Sequence, residues 1–143
     1  MNVSTMSQRS AAVTLVGIAG LHGLWAGGSA WPAPDRDTLA NVVAGRDGGA
    51  VPSAAACVSV AALLAIAAAF VAGQPRRLPQ LQRTGAAGVA VALAMRGSCG
   101  LAGRTDLISP GSTSPRFRQL DRRYYSPLCL SLAAAAASST RSR

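Results

Sequence analysis

Two stretches of twenty residues carry no charge: AAVTLVGIAGLHGLWAGGSA at 11–30 and AAACVSVAALLAIAAAFVAG at 54–73. A helix rises ~1.5 Å per residue, so about twenty residues cross a ~30 Å hydrocarbon core. A third stretch of the same length, TGAAGVAVALAMRGSCGLAG at 84–103, has the same character but contains Arg96. A fourth, YSPLCLSLAAAAASST at 125–140, is sixteen residues long and ends in serines. Inside lipid the backbone must satisfy its own hydrogen bonds, so runs of this kind are helices. The predicted fold class is all-α: a four-helix transmembrane bundle forming one integral membrane domain over residues 1–143. The first run has a rival reading. Arg9, a short apolar stretch and the small residues GGSA before Trp31 also match a signal peptide.

Composition supports packing through small residues. Half of the chain is hydrophobic but only 4% is aromatic, and Ala, Val and Gly dominate in blocks. Membrane helices approach one another through such residues. The charge is carried by fourteen Arg and five Asp, with no Lys and no Glu, a bias expected of GC-rich coding. A net charge of +9 raises nucleic acid as a partner. The arginines, however, fall in bursts between apolar runs rather than on one basic face. That placement predicts the lipid bilayer and anionic lipid headgroups as partners, and no nucleic acid.

The connections alternate. The link between the second and third runs, QPRRLPQLQR, is short and basic. The first and third links are long and hold all five aspartates, whereas the N-terminus, the short link and the C-terminus carry only arginine. Four crossings put those three basic pieces on one face. By arginine count the two faces are nearly even, six against seven with Arg96 set aside. The density in the short link favours a multi-pass protein of the bacterial cell membrane with both termini cytoplasmic. A faint echo links the halves: CVSVAA at 57–62 and CLSLAA at 129–134 each follow a long polar loop containing Gly-Arg. Two hairpins of common ancestry would produce it.

Several residues stand out for chemistry. Arg96 lies about 12 Å inside its run, counting back from Arg104, where a charge is costly. It either snorkels to the headgroups or pairs with an acid or with His22. Asp106 and Asp121 are the acids at the same end. His22 sits mid-run, with Trp25 and Ser29 on its face at helical spacing. It is read either as a neutral histidine bonded to a neighbouring helix or as a proton relay or ligand. Gly20, Gly23 and Gly27 form a small-residue seam predicted to pack against another helix. Cys57, Cys99 and Cys129 are placed at similar depth near the long-loop face. They are read as apolar filler, with a disulfide or soft-metal site as the alternative. No CxxC spacing is present.

The two long loops are predicted to carry short amphipathic helices on one face. In SPRFRQLDRRYY, Ser114 is the predicted N-cap and Pro115 the first helical residue. Phe117, Leu120 and Tyr124 are then expected on one side and the arginines on the other. In DTLANVVAG, Gly45 ends the predicted helix. Together the loops would cap the bundle. The cap either anchors and seals it, or lines a polar cluster of His22, Arg46, Arg96, Arg104, Asp106 and Asp121 for an anionic ligand or headgroup.

Four stretches carry a resemblance: HGLWAGGSAWP (22–32), VAGRDGGAVPSAAAC (43–57), RGSCGLAGRTDLISPGSTSPRF (96–117) and LDRRYYSPLCL (120–130). Together they resemble a family of small bacterial four-span membrane proteins classed as a domain of unknown function. The resemblance implies a fold and a membrane location and assigns no activity, catalytic residue or cofactor. The chain departs from that family in its short, serine-ended last run. With no catalytic constellation, the predicted role is non-enzymatic, structural or interactive, with no cofactor and no metal. One alternative is a small transporter or lipid- or anion-binding protein using the polar cap. Proton-coupled small multidrug transporters of similar size use an intramembrane Glu, and this chain has none. The other alternative is a membrane redox or metal protein using the three cysteines and His22.

Overall fold

The computed structural model describes residues 3–46, 51–107 and 109–141. Asp47 and Arg143, and parts of two of the quoted motifs, lie outside them. Among the described residues all regular structure is helical. The order is α1 (Val3–Ala26), α2 (Arg36–Leu39) running into a π-helical turn (Ala40–Ala44), α3 (Ala54–Val71), α4 (Pro79–Leu101), a 3₁₀ turn (Thr105–Leu107), α5 (Pro115–Leu120) running into a second π-helical turn (Asp121–Tyr125), and α6 (Ser126–Ser139).

The helix ends follow local chemistry. α3 starts where the Ser53 hydroxyl accepts from the Ala56 amide, and Pro79 opens α4 where a missing N–H costs nothing. α1 stops at Ala26, before the glycine pair, so Ser29 lies beyond the helix face that was expected to hold it. Ser114 and Pro115 occupy the predicted cap and first positions of α5. The helix 36–44 ends on Gly45 at φ 72°, as its position predicted.

α1, α3, α4 and α6 run up, down, up and down. α1 packs most extensively on α3 and α4 on α6, while α1–α6 and α3–α4 contacts close the ring. The main core joins Ala11 and Leu15 of α1, Ala68 and Val71 of α3, and Leu132, Ala135 and Ala136 of α6, with Val89, Ala90 and Leu93 of α4 against it. A smaller cluster of Trp25, Leu39 and Cys57 sits under the first long loop.

Two helices, α3 and α4, are long and apolar enough to cross a membrane. α3 has a mean hydropathy of 2.5, yet only 17% of its residues are buried. The other two predicted spans differ from expectation. The helix that holds the first run, α1, begins before it and takes in Arg9, and the run loses its small-residue tail to a turn. α6 alone has fourteen residues, about 21 Å at ~1.5 Å per residue. It is not an isolated segment, because Leu120, Asp121, Tyr125 and Ser126 all hold right-handed helical angles. The chain is therefore helical without a break from Pro115 to Ser139.

That continuity corrects the amphipathic reading of 114–125. A π turn inserts one residue into the helical repeat and rotates everything after it. Phe117 is buried and Leu120 half-buried, but Tyr124 is exposed, with the Arg123 guanidinium 5.6 Å from its ring centre. Tyr125 turns inward instead and donates to the Val42 carbonyl at 3.2 Å. The glycine seam of α1 is also corrected. A Cβ at Gly20 or Gly23 would meet nothing within 4 Å, and one at Gly27 would meet only its own helix's carbonyls. The close helix contact is made in α4 instead, at Gly97 and Gly100 against α6 and the preceding turn.

Candidate functional site

Ordinary helical spacing puts a carboxylate on the buried face of α5, one turn after the buried Phe117. Asp121 has no solvent exposure, although it lies between Leu120 and two arginines in sequence. Its Oδ1 accepts from Arg96 Nη2 of α4 at 2.5 Å, and its Oδ2 accepts from the Ser126 hydroxyl at 3.3 Å. The Arg96 side chain keeps 25% exposure. Its Nη1 is buried with no hydrogen-bond partner among the described residues. Gly100 makes room for the pair, since a Cβ there would overlap Ser126 Oγ and Asp121 Oδ2.

Of the two acids expected beside Arg96, Asp121 is the one that reaches it. Asp106 faces Arg104 at 3.5 Å, and both side chains are more than half exposed. Arg46 is also exposed. The expected cluster therefore separates into one buried pair, one exposed pair and a solvent-facing arginine. Sequence spacing put these residues at one end of the bundle. Asp121 is the acid that turns inward because it follows the buried Phe117 by one helical turn, whereas Asp106 lies in an exposed 3₁₀ turn.

His22 belongs to neither pair. Its Nδ1 bonds the Ile18 carbonyl, one turn back in its own helix, at 2.9 Å rather than a neighbouring helix. Its ring lies 4.8 Å from that of Trp25, tilted by 56°. The three cysteines are free, Cys57 buried and Cys99 and Cys129 half-buried. Among the described residues, no three His, Cys or acidic side chains come together as a metal site.

The two long loops are knitted together at the end of the first π turn. The carbonyls there have no helical partner, and the second loop supplies the donors. The Gly45 carbonyl accepts from the amides of Thr113 and Ser114 at 2.9 and 3.0 Å, and the Ala44 carbonyl accepts from the Ser109 hydroxyl at 2.9 Å. The Ser114 hydroxyl donates to Asn41 Oδ1 at 3.1 Å. Gly45 has no room for a side chain, because a Cβ would sit 2.7 Å from Phe117 and Ser112. Two polar residues escaped notice in the sequence. Gln82 is buried and caps α3 through Nε2 and the Phe70 carbonyl at 3.0 Å. Arg122 caps α4 with two bonds to the Leu101 carbonyl, at 3.2 and 3.1 Å. Hydropathy reads both as ordinary loop residues, and no local signal distinguishes them.

The model of one family, described as "Protein of unknown function (DUF3995)", matches residues 15–136. No curated protein and no solved structure matches the chain.

Proposed function

This chain belongs to the DUF3995 family, and we propose that it is a non-enzymatic structural or interaction protein that crosses a bacterial cell membrane four times. In this reading residues 1–143 form one integral domain, both termini are cytoplasmic, and the knitted loops form a cap on the opposite face. One observation carries it: several helix contacts are made through small residues, while many large apolar side chains of the helices face outward. Ala68, Ala86, Ala135, Ala136, Gly97 and Gly100 are buried, while Val13, Leu63, Ile66, Val91 and Met95 are more than half exposed. Water would favour the reverse. Lipid tails are as apolar as leucine, so helices in a bilayer gain by close approach and lose nothing by exposing leucine. The arginines at the two ends then meet headgroups, anionic ones most favourably. The Arg96–Asp121 pair fastens α4 to the start of α6 at the cap end.

A second reading, a transporter or anion-binding protein, has one observation in its favour: the unpartnered Arg96 Nη1. The two readings differ in what removing that cation does. Washing membranes at alkaline pH with carbonate should leave the protein in the pellet, and only detergent should release it. Release by carbonate would overturn the membrane reading. Under the first reading, Arg96→Gln should leave the anionic lipid that purifies with the protein unchanged. A marked loss of that lipid would favour the second.

A further inference from the structure

A cavity of about 90 Å³ lies between α1, the first cap helix and α3. His22, Trp25, Leu39, Val43 and Cys57 line it, and its surface is nearly all carbon. Two further wall residues, Ala56 and Val60, are exposed on α3. The cavity therefore opens onto the outer face of that helix, towards the exposed Leu63, one turn on from Val60.

The polar side chains at its wall are committed elsewhere, with one exception. The Trp25 indole N–H donates to the Trp31 carbonyl at 2.7 Å. The Cys57 thiol points to the Pro52 carbonyl at 3.8 Å. His22 Nδ1 faces the Ile18 carbonyl, which can only accept, so Nδ1 carries the proton of the neutral ring. Nε2 is then a lone pair, and no described residue donates to it. The wall residues include no carboxylate for a cation, no Arg or Lys for an anion, and no free donor for a ketone. Among the described side chains of the wall, His22 Nε2 is the one polar atom without a partner, and a water holds best where two to four polar groups meet it.

We propose that this cavity binds the hydroxyl end of a lipid-soluble alcohol, its O–H donating to His22 Nε2 and its apolar tail leaving along the outer face of α3. Size sets how much enters. A cavity of ~150 Å³ takes up benzene, so this one admits a hydroxyl and a few carbons. The chain of a longer alcohol stays outside, against Leu63. The ligand is selected as a donor: the same molecule with its hydroxyl methylated keeps the apolar contact and loses the bond.

The test uses the full chain in detergent micelles, with Trp31→Phe as background so that Trp25 is the single reporter. That change keeps the carbonyl that Trp25 uses. A long-chain bromoalkanol and its methyl ether are titrated, and quenching of Trp25 fluorescence is followed. The alcohol should quench saturably, at about three- to tenfold lower concentration than the ether, as expected for one hydrogen bond. His22→Phe should bring the alcohol to the level of the ether. Ala56→Leu, which fills the mouth, should abolish saturable quenching by both. Equal half-saturation for alcohol and ether, quenching that never saturates, a preference surviving His22→Phe, or saturation surviving Ala56→Leu would each overturn the proposal. If circular dichroism shows that His22→Phe has lost its helix, the alcohol-to-ether ratio of the parent protein decides alone.

Discussion

Arg96→Leu and Asp121→Asn remove opposite halves of one ion pair, yet their costs should differ. Losing one partner of a buried pair strands the other charge, typically at ~3–5 kcal/mol. Asp121 is fully buried and has no route to solvent, so Arg96→Leu should fall in that range. Arg96 keeps a quarter of its side chain exposed and its long stem can turn the charge outward, so Asp121→Asn should cost less. The amide also retains an acceptor for Ser126. Combining the two substitutions should recover part of the loss of Arg96→Leu alone. Thermal unfolding of the three variants in detergent checks this ordering, and a neutral or stabilising Arg96→Leu would show that the pair contributes nothing. Two glycines of α4 make a second contrast. Gly100→Ala drives a Cβ into Ser126 and Asp121, and overpacking of that kind costs ~1–3 kcal/mol. Gly88→Ala meets open space and should stabilise by ~0.5–1 kcal/mol through helix propensity. Equal effects in the same unfolding measurement would mean that α4 and α6 do not approach as closely as described.

At the scale of elements, the cap helices are the most easily tested. Asp35 is the N-cap of α2, and its Oδ1 accepts from the Thr38 amide at 2.7 Å. That backbone bond, with further bonds from Thr38 and Asp37, holds its carboxyl below the usual value of 3.8. A lowered folded value means that the cap contributes fully above the ordinary carboxylate range and is lost as pH falls through the lowered one. The Thr38 amide resonance should therefore titrate at acid pH in the parent protein and stay flat in Asp35→Asn, which caps without ionising. Titration in both would place the effect elsewhere. This helix was legible in the sequence because a cap residue and a terminating glycine bracket it. So were Ser114 and Pro115 at the start of α5. The face of 114–125 was not legible. Counting by 3.6 residues puts Tyr124 beside Phe117, and only the π turn at Asp121–Tyr125 exchanges Tyr124 for Tyr125. Asp121 comes before that rotation and one helical turn after Phe117, so its burial was legible from helical spacing, whereas Asp106 stays exposed in a 3₁₀ turn. The glycine seam of α1 failed differently, because GxxxG spacing permits close approach but does not supply a neighbour.

The whole molecule repeats itself. A long helix, a short helix with a π turn and a returning helix occur twice, as α1–α2–α3 and as α4–α5–α6. Cys57 and Cys129, the starts of the CVSVAA and CLSLAA echoes, are each the fourth residue of the returning helix. The halves differ at one joint: the first π turn stops at Gly45, and the second continues straight into α6. Each half leaves and returns to the same end, which puts the basic link at 74–83 and both chain ends opposite the cap. The central claim is that this up-down order crosses a bilayer four times, and a topology experiment in cells tests it most directly. Reporters that signal only in the cytoplasm, or only outside it, would be fused after Arg46, Leu78, Ser112 and Arg143. The account predicts outside, cytoplasm, outside, cytoplasm. Two successive fusion points reporting the same compartment would contradict it.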